Sequence, residues 1–230
     1  MIEVILWDVD GTLLNFLAAE RVAIRACFAE MGLGECTDEQ ISRYSVINKK
    51  YWKRMEDGEI TKAEVLSGRF AEFFAGEGIS ADIEAFNLLY QTRLGDTVVF
   101  FDGADSLLRE FRGRVMQYAV TNGTQRAQRR KLAKSGLDRI FDGIFISDEV
   151  GFEKPSREFF DRVFESIGSI PKERVLIVGD SLSSDIRGGI QAGIRTCWYN
   201  PSGLLAPEEL RPDYEIANLG QVRYILDGQG

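Results

Sequence analysis

Apolar positions along the chain follow two rhythms. Residues 4–9 form a short β-branched and aromatic run that ends in Asp-x-Asp-Gly-Thr, which predicts a buried strand stopping at a loop. From about Phe16 to about Gly95 the period becomes helical. Phe16, Ala19, Ala23, Ala26 and Cys27 make one stripe, Ile41, Tyr44, Ile47, Tyr51 and Met55 another, and Val65, Leu66, Phe70, Phe73 and Phe74 a third. Thr37-x-x-Gln40 and Thr61-x-x-Glu64 read as capping boxes opening helices, and Gly58 closes the helical segment between them.

Strand-like segments return after Gly95, at residues 115–120, 143–147, 175–178 and 195–199, with helix-like segments between them. Residues 213–217 add a short candidate edge strand before a terminal helix. Strand-helix-strand repetition predicts an α/β core, a doubly wound parallel sheet covered on both faces, with an all-helical insertion after the first strand.

Composition narrows the chemistry. With 28 Lys+Arg against 36 Asp+Glu, the chain is a poor partner for a nucleic acid polymer, which calls for a basic stripe. The absence of His among the 230 residues removes Ser-His-Asp and Cys-His nucleophile pairs and His-ligated zinc. Cys27, Cys36 and Cys197 are scattered, without the spacing of a disulfide framework or a zinc site. The N-terminus lacks a basic region, and Asp8 and Asp10 interrupt its apolar run, so a cytoplasmic protein with no membrane partner is expected.

In open α/β sheets the ligand crevice lies beyond the carboxyl ends of the strands. Asp8 and Asp10, Thr121-Asn122-Gly123, Lys154-Pro155 and Gly179-Asp180-Ser181-x-x-x-Asp185 all follow strand-like segments. Carboxylates two residues apart on an extended segment sit roughly 6 to 7 Å apart at Cα, with room for a small anion. With Asp180 and Asp185 the count reaches four acids, which repel unless a hard cation such as Mg²⁺ is bound. Lys154, the Thr121 hydroxyl and the N–H groups around Asn122 and Gly123 are anion-binding groups. Together they describe phosphoryl transfer, and without a His-paired alternative a carboxylate is the best nucleophile candidate.

These residues resemble the haloacid dehalogenase superfamily, whose four motifs match Asp8-Val9-Asp10-Gly11-Thr12-Leu13, Val120-Thr121-Asn122-Gly123, Lys154-Pro155 and Gly179-Asp180-Ser181-Leu182-Ser183-Ser184-Asp185. The resemblance implies a Rossmann-like core of residues 1–15 and 96–230, with residues 16–95 as a helical cap that closes over the substrate. It implies that Asp8 attacks phosphorus and that Asp10 protonates the leaving oxygen and then activates water. Thr121 and Asn122 would hold the phosphoryl group, and Lys154 would steady Asp8. Mg²⁺, with Mn²⁺ as the alternative, would be held by Asp8, the Asp10 carbonyl and Asp180, with Asp185 bonding directly or through water. Asp10 favours ester hydrolysis over dehalogenation, since dehalogenating members lack that second aspartate.

A narrower similarity, to pyrimidine 5′-nucleotidases of the YjjG type, lies in Val46-Ile47-Asn48-Lys49-Lys50-Tyr51-Trp52, Glu56-Asp57-Gly58-Glu59-Ile60-Thr61, Gly68-Arg69-Phe70 and Cys197-Trp198-Tyr199-Asn200-Pro201. It implies a small phosphate monoester as substrate. Asn48, Trp52 and Arg69 are the cap candidates: Asn pairs with a base edge, Trp stacks, and Arg stacks or meets an anion. Alternatively, Trp52 extends the bundle stripe and Arg69 is an exposed or salt-bridged helix residue. A sugar-phosphate phosphatase and a non-catalytic phosphate-binding module are the competing functions. The sequence does not distinguish monomer from homodimer.

Overall fold

The computed structural model describes residues 1–228. Among them, β1 (Val4–Trp7), β2 (Met116–Thr121), β3 (Gly143–Ile146), β4 (Val175–Gly179), β5 (Arg195–Tyr199) and β6 (Tyr214–Ile216) form one sheet in the order β3-β2-β1-β4-β5-β6. Every neighbouring pair is parallel. The edge strand at residues 213–217 is present as β6.

A parallel sheet is covered on both faces, so its central strand is apolar throughout rather than alternating. All four residues of β1 are buried, and successive side chains serve opposite cores. Ile5 and Trp7 pack with Leu107 and Phe111 of α5 (Ala104–Phe111) and Val222 of α10 (Val222–Leu226). Val4 and Leu6 pack with Phe159, Phe160 and Val163 of α8 (Arg157–Ile167) and Ala192 of α9 (Arg187–Ala192). The first strand stops two residues earlier than its apolar run. The Val9 carbonyl accepts from the N–H groups of Leu13 and Leu14, at 3.0 and 2.9 Å, and turns the chain out of the sheet.

Between β1 and β2 lie α1 (Phe16–Glu30), α2 (Asp38–Glu56), α3 (Lys62–Glu77) and α4 (Ile83–Asp96). Both expected capping boxes are formed, at Thr37/Gln40 and Thr61/Glu64. The helices enclose an aromatic core in which Tyr44 stacks on Phe70 at 5.0 Å and Phe86 meets Phe70 edge-on at 4.9 Å. Gly95 is the penultimate residue of α4, so the helical region ends within one residue of the expected place. Its missing side chain lets α4 press on α6 (Gln125–Ser135), since a Cβ there would stand 2.8 Å from the Ala127 carbonyl oxygen. The insertion leaves and re-enters the core at adjacent backbone: Asn15 donates to the Val99 carbonyl at 2.7 Å, and Phe101 to that of Leu13 at 3.0 Å. Among the described residues no helix is long and apolar enough to cross a membrane.

Candidate active site

The carboxyl ends of β1, β2 and β4 bring the motif residues together. Asp8 follows β1, and its N–H donates to the Val178 carbonyl at 2.9 Å, which carries the sheet's pairing one residue past the strand. One Asp8 carboxylate oxygen accepts from Lys154 Nζ at 2.8 Å. The Thr12 hydroxyl lies 3.2 Å from the other and 3.2 Å from Asp180, donating to one at a time.

Lys154 is buried, and its three donors meet three acceptors: Asp8 at 2.8 Å, Asp185 at 2.7 Å and the Val120 carbonyl at 2.8 Å. Asn122 sets the position of Lys154, because its amide donates to the Lys154 carbonyl and accepts from the Lys154 N–H, both at 2.8 Å. The Thr121 hydroxyl, at the end of β2, accepts from the Gly123 N–H at 3.1 Å.

After β4 the chain makes a single π-helical turn, Leu182–Ile186, which aims Asp185 back at the strand end. Asp185 accepts from the Ser181 N–H at 3.1 Å, while Trp198 Nε1 donates to the Asp180 carbonyl at 2.9 Å. Glycines make this crowding feasible. A Cβ on Gly179 would stand 2.2 Å from the Asp185 carboxylate. One on Gly11 would stand 2.6 Å from that of Asp180, and Gly11 has φ of +93°, where a side chain is strained.

Asp8, Asp180 and Asp185 each present a carboxylate oxygen within 4.8 Å of the others. Burial pushes the Asp8 carboxyl up to about 7; Lys154 pulls it down and Asp185 works with burial. Burial likewise raises Asp185, against the pull of Lys154. Asp180 opens to the cleft yet is closely surrounded by protein, and lost hydration together with the charges of Asp8 and Asp185 holds its carboxyl well above the usual range. Burial lowers Lys154, but Asp185 and Asp8 more than offset it and the ammonium is held charged. Three crowded hard oxygens, disfavoured as anions without a counter-charge, make a donor set that fits Mg²⁺.

Asp10 stands apart from that cluster. Its carboxylate accepts from Gln128 Nε2 at 2.5 Å and pairs with the ammonium of Lys131. From the helical insertion, Glu56 reaches the Ser181 hydroxyl at 3.3 Å and also bonds that of Ser183, and burial raises its carboxyl. Thr12 is visible in the first motif. Glu56, Gln128 and Lys131 carry no local sign of their position, since each sits in a charged run of ordinary surface character.

The three insertion candidates separate. Asn48 and Arg69 are buried inside the insertion. Asn48 donates to Glu20 at 2.8 Å and accepts from Arg69 at 2.8 Å, so both ends of its amide are engaged. Arg69 also donates to Asn87 at 3.2 Å and lies over the rings of Phe70 and Tyr90, at 4.8 and 5.2 Å. Its environment is therefore neither exposed nor a surface salt bridge. The network turns on Glu20, itself buried, whose carboxyl burial pushes up. Trp52 is half-buried, one helical turn from Asn48 on one side and from Glu56 on the other, on the α2 face that reaches the core.

Residues 5–199 match the model of the haloacid dehalogenase-like hydrolases. The chain is 38% identical over 223 residues to the HAD-hydrolase YfnB of Bacillus subtilis, covering 97% of this chain and 94% of that protein. A YfnB structure bound to magnesium, in which interdomain movement is described, superposes with a TM-score of 0.93 over 98% of this chain and 99% of that one. The pyrimidine 5′-nucleotidase PynA of Streptococcus pneumoniae is 36% identical, covering 97% of this chain and 94% of that protein. The pyrimidine 5′-nucleotidase YjjG of Escherichia coli is 32% identical, covering 96% of each. With its sheet, motifs and full-length relatives in agreement, the chain belongs to the haloacid dehalogenase-like hydrolases.

Proposed function

We propose that the protein is a Mg²⁺-dependent phosphatase acting through an aspartyl phosphate on pyrimidine nucleoside monophosphates such as UMP, dUMP and dTMP. The observation that carries the chemistry is the pairing of Asp8 with Lys154 at the end of the central strand, with Asp10 two residues on and outside the acidic cluster. An Asp8 oxygen forms a bond to phosphorus as the bond from phosphorus to the leaving oxygen breaks, and Asp10 gives that oxygen its proton. Asp10 then takes a proton from water, whose oxygen displaces Asp8 and releases phosphate. Thr121 and the backbone at Asn122 bind the phosphoryl oxygens, and Lys154 fixes the nucleophile and balances its charge. Mg²⁺, held by Asp8, Asp180 and the Asp10 carbonyl with Asp185 direct or through water, supplies charge that offsets both the phosphoryl group and the crowded acids.

The nucleotide reading is supported by the two pyrimidine 5′-nucleotidases among the full-length relatives. We take residues 16–95 as the cap over a core of residues 1–15 and 96–230, with Trp52 as the stacking surface and Asn48 and Arg69 holding the helices of the cap together through their buried network with Glu20. Phosphate release from nucleoside monophosphates and sugar phosphates, with Mg²⁺ and with chelator, tests this. Metal-dependent release with the highest kcat/KM on pyrimidine nucleotides is expected. A preference for sugar phosphates replaces the substrate, and no release from any ester leaves a phosphate-binding module.

A further inference from the structure

The Asp10 carboxylate is gripped from a single helix. Gln128 and Lys131 stand three residues apart on α6, so both face the same way, and each is 1% exposed. Gln128 donates to one Asp10 oxygen and Lys131 to the other, while the Asp10 side chain itself is 20% exposed. The backbone makes room for this grip, since a Cβ on Gly123 would stand 2.1 Å from Gln128 Nε2. The side-chain oxygen Oε1 of Gln128 is buried without a partner, so the hydrogen bond that orients this amide is the one to Asp10.

Burying an ammonium opposite a carboxylate is seldom a net gain over apolar packing, because desolvation consumes the attraction. Stability alone therefore does not explain Lys131, whereas orientation does. We propose that Gln128 and Lys131 are positioning residues that fix the rotamer of Asp10, holding its carboxylate outside the Asp8–Asp180–Asp185 cluster and turned toward the leaving oxygen and the attacking water. The inference rests on Asp10 as the proton-transfer group. Helix α6 follows directly on the Thr121-Asn122-Gly123 loop, so one rigid element sets both the phosphoryl pocket and the acid-base group.

The test measures kcat and KM for p-nitrophenyl phosphate and for UMP in Lys131→Met, Lys131→Arg and Gln128→Leu, and repeats Lys131→Met in an Asp10→Asn background. Lys131→Met is expected to lower kcat at least about tenfold with KM within about threefold, within the range spanned by acid-base contributions. Lys131→Arg should restore most of that loss, as a second charged donor. In the Asp10→Asn background the same substitution should change kcat less than about twofold, because the two residues act as a unit. An equal loss in both backgrounds, or a raised KM at unchanged kcat, overturns the inference by placing Lys131 on the substrate. Wild-type kinetics in Lys131→Met and Gln128→Leu overturn it too, with Asp10's own role intact if Asp10→Asn is impaired. Full activity in Asp10→Asn instead removes the reading beneath. If Lys131→Met does not fold, Gln128→Leu in both backgrounds decides by the same criteria.

Discussion

Asn122 and Lys154 grip each other's loops through a reciprocal pair of 2.8 Å hydrogen bonds between the Asn122 side-chain amide and the backbone N–H and carbonyl of Lys154. The Asn122 side chain is therefore engaged in holding the lysine, which leaves only its backbone for the phosphoryl contact proposed above. Asn122→Ala leaves a buried N–H and a buried carbonyl unpaired, at a cost of about 1–3 kcal/mol for each. Thermal unfolding should show a clearly lowered Tm, and phosphate-release assays a kcat reduced about tenfold or more as Lys154 loses its register with Asp8. An unchanged Tm would mean that the Lys154 loop is held by other contacts.

With Mg²⁺ bound as proposed, the acidic cluster links metal, pH and stability. Burial pushes the Asp8 carboxyl up to about 7 from an ordinary value of 3.8, so the folded protein binds more protons than the unfolded chain between those values. Metal-free stability from this group is accordingly present at low pH and is lost as pH rises through about 7. Bound Mg²⁺ favours the ionised acids, so the Tm gained from saturating Mg²⁺ should be larger at about pH 8 than at about pH 5.5. Asp8→Asn should abolish turnover, raise the metal-free Tm at about pH 8 and shrink the Mg²⁺-induced gain. A gain independent of pH would place the ion elsewhere.

Glu56 ties the helical insertion to the turn that carries Asp185, and neighbouring ion pairs run from Asp57 to Arg187 and from Lys62 to Asp148. Glu56→Ala removes both hydroxyl contacts, a loss of about 1 kcal/mol or somewhat more. KM is expected to rise about threefold to tenfold as closure becomes less favourable, with faster backbone hydrogen exchange at residues 181–185. Exchange and KM at wild-type values would show that the insertion closes without this contact.

How much was legible follows from the range of each interaction. The individual strands and the two capping boxes depend on residues within a few positions, the parallel sheet follows from the strand-helix-strand alternation, and the sequence reading holds for them. Asp8, Asp180 and Asp185 were legible because strand ends in a parallel sheet converge. Lys131 was not, since the run Gln128-Arg129-Arg130-Lys131 gives no hint that Arg129 pairs with Glu149 at the surface while Lys131 is buried against Asp10. Asn48 and Arg69 stood out by motif similarity, but their partner Glu20 lies in another helix, and only the packing of α1 against α2 and α3 turns all of them inward. Trp7 shows the same limit, with its indole donating to Gln117 at 3.1 Å, a partner supplied by the neighbouring strand.

The paired crossing at Asn15–Val99 and Leu13–Phe101 makes the insertion's two ends neighbours in space, although more than eighty residues separate them along the chain. The same feature turns the rim of the sheet into a socket. Because the two ends lie side by side, a segment of different length can join the sheet at this point with little change to the strand that leads to Asp8.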